Sequence, residues 1–135
     1  MNILVIDGQG GKLGKQLVEA INKRVKGANI IAVGTNSVAT ATMLKAGAVE
    51  GATGENPVIV GCRTADVIIG PIGIVVADAL LGEVTPKMAM AVGQSKATRI
   101  LVPMNMCDNI VAGVSDISLN TIIDDAITKI EKLYT

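Results

Sequence analysis

The feature that most constrains this chain is its first fourteen residues. Ile3-Leu4-Val5-Ile6 is apolar at successive positions, and Asp7-Gly8-Gln9-Gly10-Gly11-Lys12-Leu13-Gly14 follows directly. A strand apolar on both faces is buried on both faces, which is the habit of parallel sheets covered by helices. Gly8, Gly11 and Gly14 form a G-x-x-G-x-x-G pattern, and Gly10 adds a G-x-G start. A loop of this kind between strand and helix needs glycine for three reasons. The chain turns sharply, the backbone approaches a phosphate with no Cβ in between, and the helix packs close to the strand. The helix N-terminus then aims free N–H groups and the positive end of its dipole at the anion. The bland alternative is a glycine-rich turn that binds nothing.

The rest of the chain alternates strand and helix. A helical stripe of Leu13, Leu17, Ile21 and Val25 ends at Gly27. Asn29–Val33 reads as strand two, and Ser37 as the cap of a helix over Val38–Ala46 that Gly47 ends. Ala48–Gly51 follows as a short third strand. Asn56-Pro57 opens a short helix to Arg63 despite the strand-like Val58-Ile59-Val60, because Asp66–Gly70 is a clear fourth strand. Ile74–Leu81 reads as a helix stopped near Gly82, and Thr85-Pro86 caps another that ends near Gly93. Arg99–Val102 is strand five, Ile110–Val114 a sixth at the edge, and Ser118 caps the last helix. The pattern predicts one Rossmann-like domain over residues 1–135. It is a three-layer αβα, doubly wound α/β fold with a mostly parallel sheet of five to six strands. The expected order is 3-2-1-4-5, with the sixth strand at the edge.

Composition narrows the function classes. Twelve basic residues balance twelve acidic ones, and Tyr134 is the only aromatic. Neither a basic footprint nor a stacking surface for nucleic acid is present. No apolar run approaches the ~18 residues of a membrane span, and the start lacks the basic stretch of a signal peptide. Two cysteines, Cys62 and Cys107, without metal-ligand spacing and without any histidine, fit a reducing cytoplasm and argue against a metal site.

In a doubly wound sheet the ligand sits beyond the carboxyl ends of the strands, where strand order reverses. The expected ligand-binding residues are Gly8, Gln9, Gly10, Gly11, Lys12, Leu13 and Gly14 in the first loop. Thr35 and Asn36 join them after strand two, and Gly70, Pro71 and Gly73 after strand four. Asp7 has two readings: it repels a pyrophosphate, or it hydrogen-bonds the loop's own amides. Asn36 stands where an Asp or Glu would grip an adenosine ribose, and no arginine is there to favour a 2′-phosphate, so NAD is expected over NADP. A P-loop is the rival reading of Gly14-Lys15, but Gln16 replaces the required Ser or Thr. Lys12 and Lys15 either assist an anion or are solvated helix charges. Glu55 is the best-placed carboxylate, with Asn105 and Cys107 as further strand-end candidates. No catalytic residue is assigned, because no histidine exists to activate Cys107.

Asp7-Gly8-Gln9-Gly10-Gly11, Gly34-Thr35-Asn36, Leu44-Lys45-Ala46-Gly47-Ala48, Gly51-Ala52-Thr53-Gly54-Glu55-Asn56 and Gly70-Pro71-Ile72-Gly73 together resemble a family of small bacterial proteins from anaerobic Firmicutes, grouped as a domain of unknown function. The resemblance spans nearly the whole chain and implies a stand-alone cytoplasmic protein without an assigned activity. The segment Gly8–Gly14 is also similar to the cofactor loop of dihydrodipicolinate reductases, which carry their catalytic residues in a second domain, so reductase activity is not expected from the resemblance. The expected function is a module that senses or carries a phosphate-bearing small molecule, NAD or another nucleotide. The alternatives are a small NAD(P)-dependent oxidoreductase completed by oligomerisation, and a structural or interaction protein without a ligand. A homodimer is expected, because Val75, Val76, Leu80, Leu81, Met88, Met90 and Val92 exceed what one sheet face needs. Gly11→Val and Gly14→Val are expected to abolish binding and leave a folded protein.

Overall fold

A computed structural model describes residues 1–104 and 108–134. Its elements run β1 (Asn2–Asp7), α1 (Lys12–Arg24), β2 (Asn29–Gly34), α2 (Ser37–Lys45), β3 (Glu50–Thr53), α3 (Glu55–Thr64), β4 (Val67–Pro71), α4 (Pro86–Gln94), β5 (Thr98–Val102) and α5 (Leu119–Leu133). The strands form one parallel sheet in the order β3-β2-β1-β4-β5. This is the three-layer, doubly wound α/β architecture the alternation predicts.

The continuous apolar run of β1 divides by parity. Ile3 and Val5 face one layer, where α1, α2 and α5 contribute Leu17, Ile21, Met43, Ile127 and Ile130. Leu4 and Ile6 face the other, where α3 and α4 contribute Val58, Cys62, Met88 and Val92. All four β1 side chains are at most 2% exposed. Successive strand residues point to opposite faces, so a strand buried on both sides must be apolar throughout. Burying a Leu or Ile side chain contributes roughly 1.5–3 kcal/mol, and these strands repeat that gain.

Register fixes which chain ends meet. Asp7 pairs with Gly34 across β1 and β2, and Val5 pairs with Ile69 across β1 and β4. The carboxyl ends of β1, β2 and β4 therefore line one edge. Gly70 is required there for packing. A Cβ on it would lie 2.2 Å from the Ile6 carbonyl oxygen of the neighbouring strand.

Several local expectations are corrected. Ile74–Leu81 is not an α-helix. A single 3-10 turn at Ile72–Val75 is followed by a folded loop. Asp78, Leu80 and Leu81 have φ of 67°, 57° and 57°, outside the helical region. Asp78 N–H donates to the Val84 carbonyl and Val84 N–H to Ala79, so the loop closes on itself. The sixth strand is also absent among the described residues. Val114 N–H donates to the Val111 carbonyl, Gly113 has φ of 84°, and Ile110 is 95% exposed. Asn36, not Ser37, is the N-cap of α2, accepting the Ala39 N–H at its side-chain oxygen. Gly54 rather than Asn56 precedes α3, which places Pro57 within its first turn. Strand β3 lies at Glu50–Thr53, later than Ala48–Gly51.

The apolar surplus expected at a dimer surface is largely internal. Leu80, Met88 and Val92 are buried, and Val75 and Val76 pack against the same cluster. These side chains fill the place that aromatics take in other cores. Of the named residues, Leu81 and Met90 are exposed.

Candidate ligand site at the glycine loop

The loop after β1 is held mainly by Asp7. Its side chain is almost fully buried, and one carboxylate oxygen accepts the Gly8 N–H at 2.8 Å while the other accepts the Gly14 N–H at 2.7 Å. The Gly11 N–H closes the turn onto the Gly8 carbonyl at 2.9 Å. Of the two readings of Asp7, the second is the one observed: it fixes the loop. Burial pushes its pKa up, the Gly14 and Gly8 amides pull it down, and the charge of Glu83 pushes it up again, leaving it raised.

Three of the loop glycines face protein. At Gly11, φ is 76° and a Cβ would lie 2.8 Å from the Ala39 backbone. At Gly14 it would meet Met43 Sδ at 2.5 Å, and at Gly8 it would meet Thr35 Oγ1 at 2.5 Å. A valine at Gly11 or Gly14 therefore strikes α2, so neither substitution is a clean test of ligand binding. Gly10 differs: nothing lies within 4 Å of a Cβ built there. The main-chain N–H groups of Gly10, Lys12 and Leu13 have no protein acceptor among the described residues. Lys12 and Leu13 stand in the first turn of α1, where intrahelical acceptors do not exist, and Gly10 directly precedes its N-cap Gly11.

The structure brings Thr35 and Asn36 to this loop, and with them Glu83, a residue sequence reasoning missed. Glu83 Oε1 accepts from Gln9 N–H at 2.9 Å, Thr35 Oγ1 at 2.6 Å and Asn36 Nδ2 at 2.8 Å. Asn36 Nδ2 also donates to the Gln9 carbonyl. With its oxygen capping α2, the Asn36 side chain is committed to protein partners. Burial works to raise the Glu83 pKa, but the bonds from Thr35, Gln9 and Asn36 together outweigh it and hold the carboxyl below its ordinary value. The one signal in the sequence was negative, an uncharged β2 end where this fold often carries an acid.

The other expected residues contribute less directly. Leu13 is a core side chain, and Lys12 is exposed. Gly70, Pro71 and Gly73 are buried and begin the β4–α4 connection that carries Glu83. Glu55 lies in the first turn of α3, outside the Glu83 cluster. Asn105 and Cys107 lie outside the described residues. Cys62 is buried, and burial pushes its thiol up to about 11, far from a reactive thiolate. Among the described residues, no group of three or more His, Cys, Asp or Glu is placed to hold a metal ion. Among them, too, no helix is long and apolar enough to cross a membrane.

Residues 2–135 match the model of a family described as Domain of unknown function (DUF3842). No curated protein matches the chain. Among solved structures, a dodecameric FMN-dependent UbiX-like decarboxylase from Escherichia coli O157:H7 is similar, with a TM-score of 0.48 and 20% identity. The similarity covers 97% of this chain and 76% of that one.

Proposed function

The chain belongs to the DUF3842 family, and we propose that it is a nucleotide-binding module whose first glycine loop seats the phosphates of an NAD-type ligand. The observation that carries this reading is the open side of the loop. Gly10 faces free space, and the Gly10, Lys12 and Leu13 amides beside it lack protein acceptors among the described residues. Free N–H donors at a helix N-terminus, with the dipole behind them, favour an anion. Asp7 is almost fully buried, and the dipoles of the Gly8 and Gly14 amides bonded to its two oxygens offset part of its charge.

The module binds or senses rather than transforms its ligand: the described residues around the loop include no histidine, thiolate or acid–base pair aimed at a reacting group. We propose a cytoplasmic homodimer, with the exposed Met90 among its contact residues. Light scattering at micromolar concentration tests this, and a mass near 13.8 kDa would contradict it.

Calorimetric titration of the purified protein with NAD and with NADP tests the ligand assignment. Saturable binding of NAD, displaced by inorganic pyrophosphate and tighter than that of NADP, is the expected result. Absence of binding to either would overturn it.

A further inference from the structure

We propose that Glu83, delivered by the β4–α4 connection, is the residue that reads the ligand's ribose and excludes a 2′-phosphate. This rests on the nucleotide reading above and names the specificity residue of that site.

In folds of this architecture, an acid at the end of β2 accepts the ribose hydroxyls of the nucleotide. This chain has Thr35 and Asn36 there, and both act as donors. They hold a carboxylate that arrives from a different connection. Three donors converge on Glu83 Oε1, which exhausts the lone pairs of one carboxylate oxygen. Oε2 accepts no hydrogen bond among the described residues, and Glu83 is only partly buried. One oxygen is thus anchored and the other left as an acceptor. The anchoring donor Gln9 immediately precedes Gly10, so the anchored carboxylate belongs to the same loop as the proposed phosphate seat.

The hydrogen bonds that anchor Glu83 also keep it ionised at neutral pH. An ionised acceptor takes hydrogen bonds from a ribose hydroxyl and repels a phosphate on the same carbon. The connection is shaped for this delivery. Its left-handed residues Asp78, Leu80 and Leu81 fold residues 78–84 back over the loop, and Leu80 packs in the core beneath.

The test titrates wild type, Glu83→Gln and Glu83→Lys with ADP, 2′-deoxy-ADP and ADP phosphorylated at the 2′-hydroxyl by calorimetry, with thermal melts to confirm folding. Wild type should favour ADP over its 2′-phosphorylated form by ~10-fold or more, as expected for like charges in contact. In Glu83→Gln that preference should collapse, and so should the discrimination against 2′-deoxy-ADP. In Glu83→Lys the preference should reverse toward the 2′-phosphorylated form. Wild-type binding of ADP with ligand ratios unchanged in both variants would overturn this assignment and leave the nucleotide reading standing. Failure of wild type to bind any of the three would overturn both.

Discussion

Asp7 shows how a single side chain sets the loop. It reaches the buried Gly8 and Gly14 amides with its two oxygens. Asp7→Ala leaves both amides without their acceptor, and an unsatisfied buried donor costs about 1–3 kcal/mol. Chemical denaturation should therefore show Asp7→Ala less stable by at least that amount, and equal stability would contradict the account. The position of Asp7 was legible in the sequence, because it directly precedes the first glycine. Which of its two readings holds was not, because that depends on the distance to Gly14 across the turn. Asn36 and Ser37 are a similar case. Both are good caps, and the register of β2 against β1, which ends with Gly34 opposite Asp7, decides between them.

Among the elements, β1, the first loop and α1 follow from local spacing, since periods of two and 3.6 residues are written in the order of residue types. The β4–α4 connection does not. Its apolar residues suggest a helix, yet Leu80 and Leu81 adopt a left-handed backbone that their residue types rarely accept. Leu80 is rewarded by burial in the core, whereas Leu81 is 96% exposed and gains nothing from its conformation. Left-handed backbone costs a non-glycine residue roughly 1–2 kcal/mol, and glycine's extra unfolded-state entropy takes back roughly 0.5–1. Leu81→Gly should thus raise stability by up to about 1 kcal/mol in urea denaturation, and a clear loss of stability would refute the strain argument. Glu83 was illegible for a related reason. Its partner Gln9 is 74 residues away, and only the closed loop brings the two together. Ile110–Val114 shows the converse, a strand-like run that is bent by the Val111–Val114 turn and joins no ladder among the described residues.

At the scale of the whole molecule, two carboxylates at one sheet edge pull the pH dependence in opposite directions. Glu83 has a folded pKa below its ordinary 4.5, so its contribution is present above 4.5 and is lost as pH falls toward the folded value. Asp7 has a folded pKa above 3.8, so its contribution is complete below 3.8 and is lost as pH rises through the raised value. Glu83→Gln removes the first effect and, of the second, only the smallest push, the Glu83 charge on Asp7. Its deficit in melting temperature against wild type should be largest near neutral pH and shrink below 4.5, and a constant deficit would contradict the assigned role of the charge. The layer order and the order of the five strands were legible from the alternation of elements, because topology follows from which faces must be buried. The central claim, that the open side of the first loop is a phosphate seat, is tested most directly at Gly10, where a side chain fits the fold but fills the seat. Calorimetric titration of NAD into Gly10→Val should show binding lost, with a melting temperature close to that of wild type. NAD binding as tight in Gly10→Val as in wild type would contradict it.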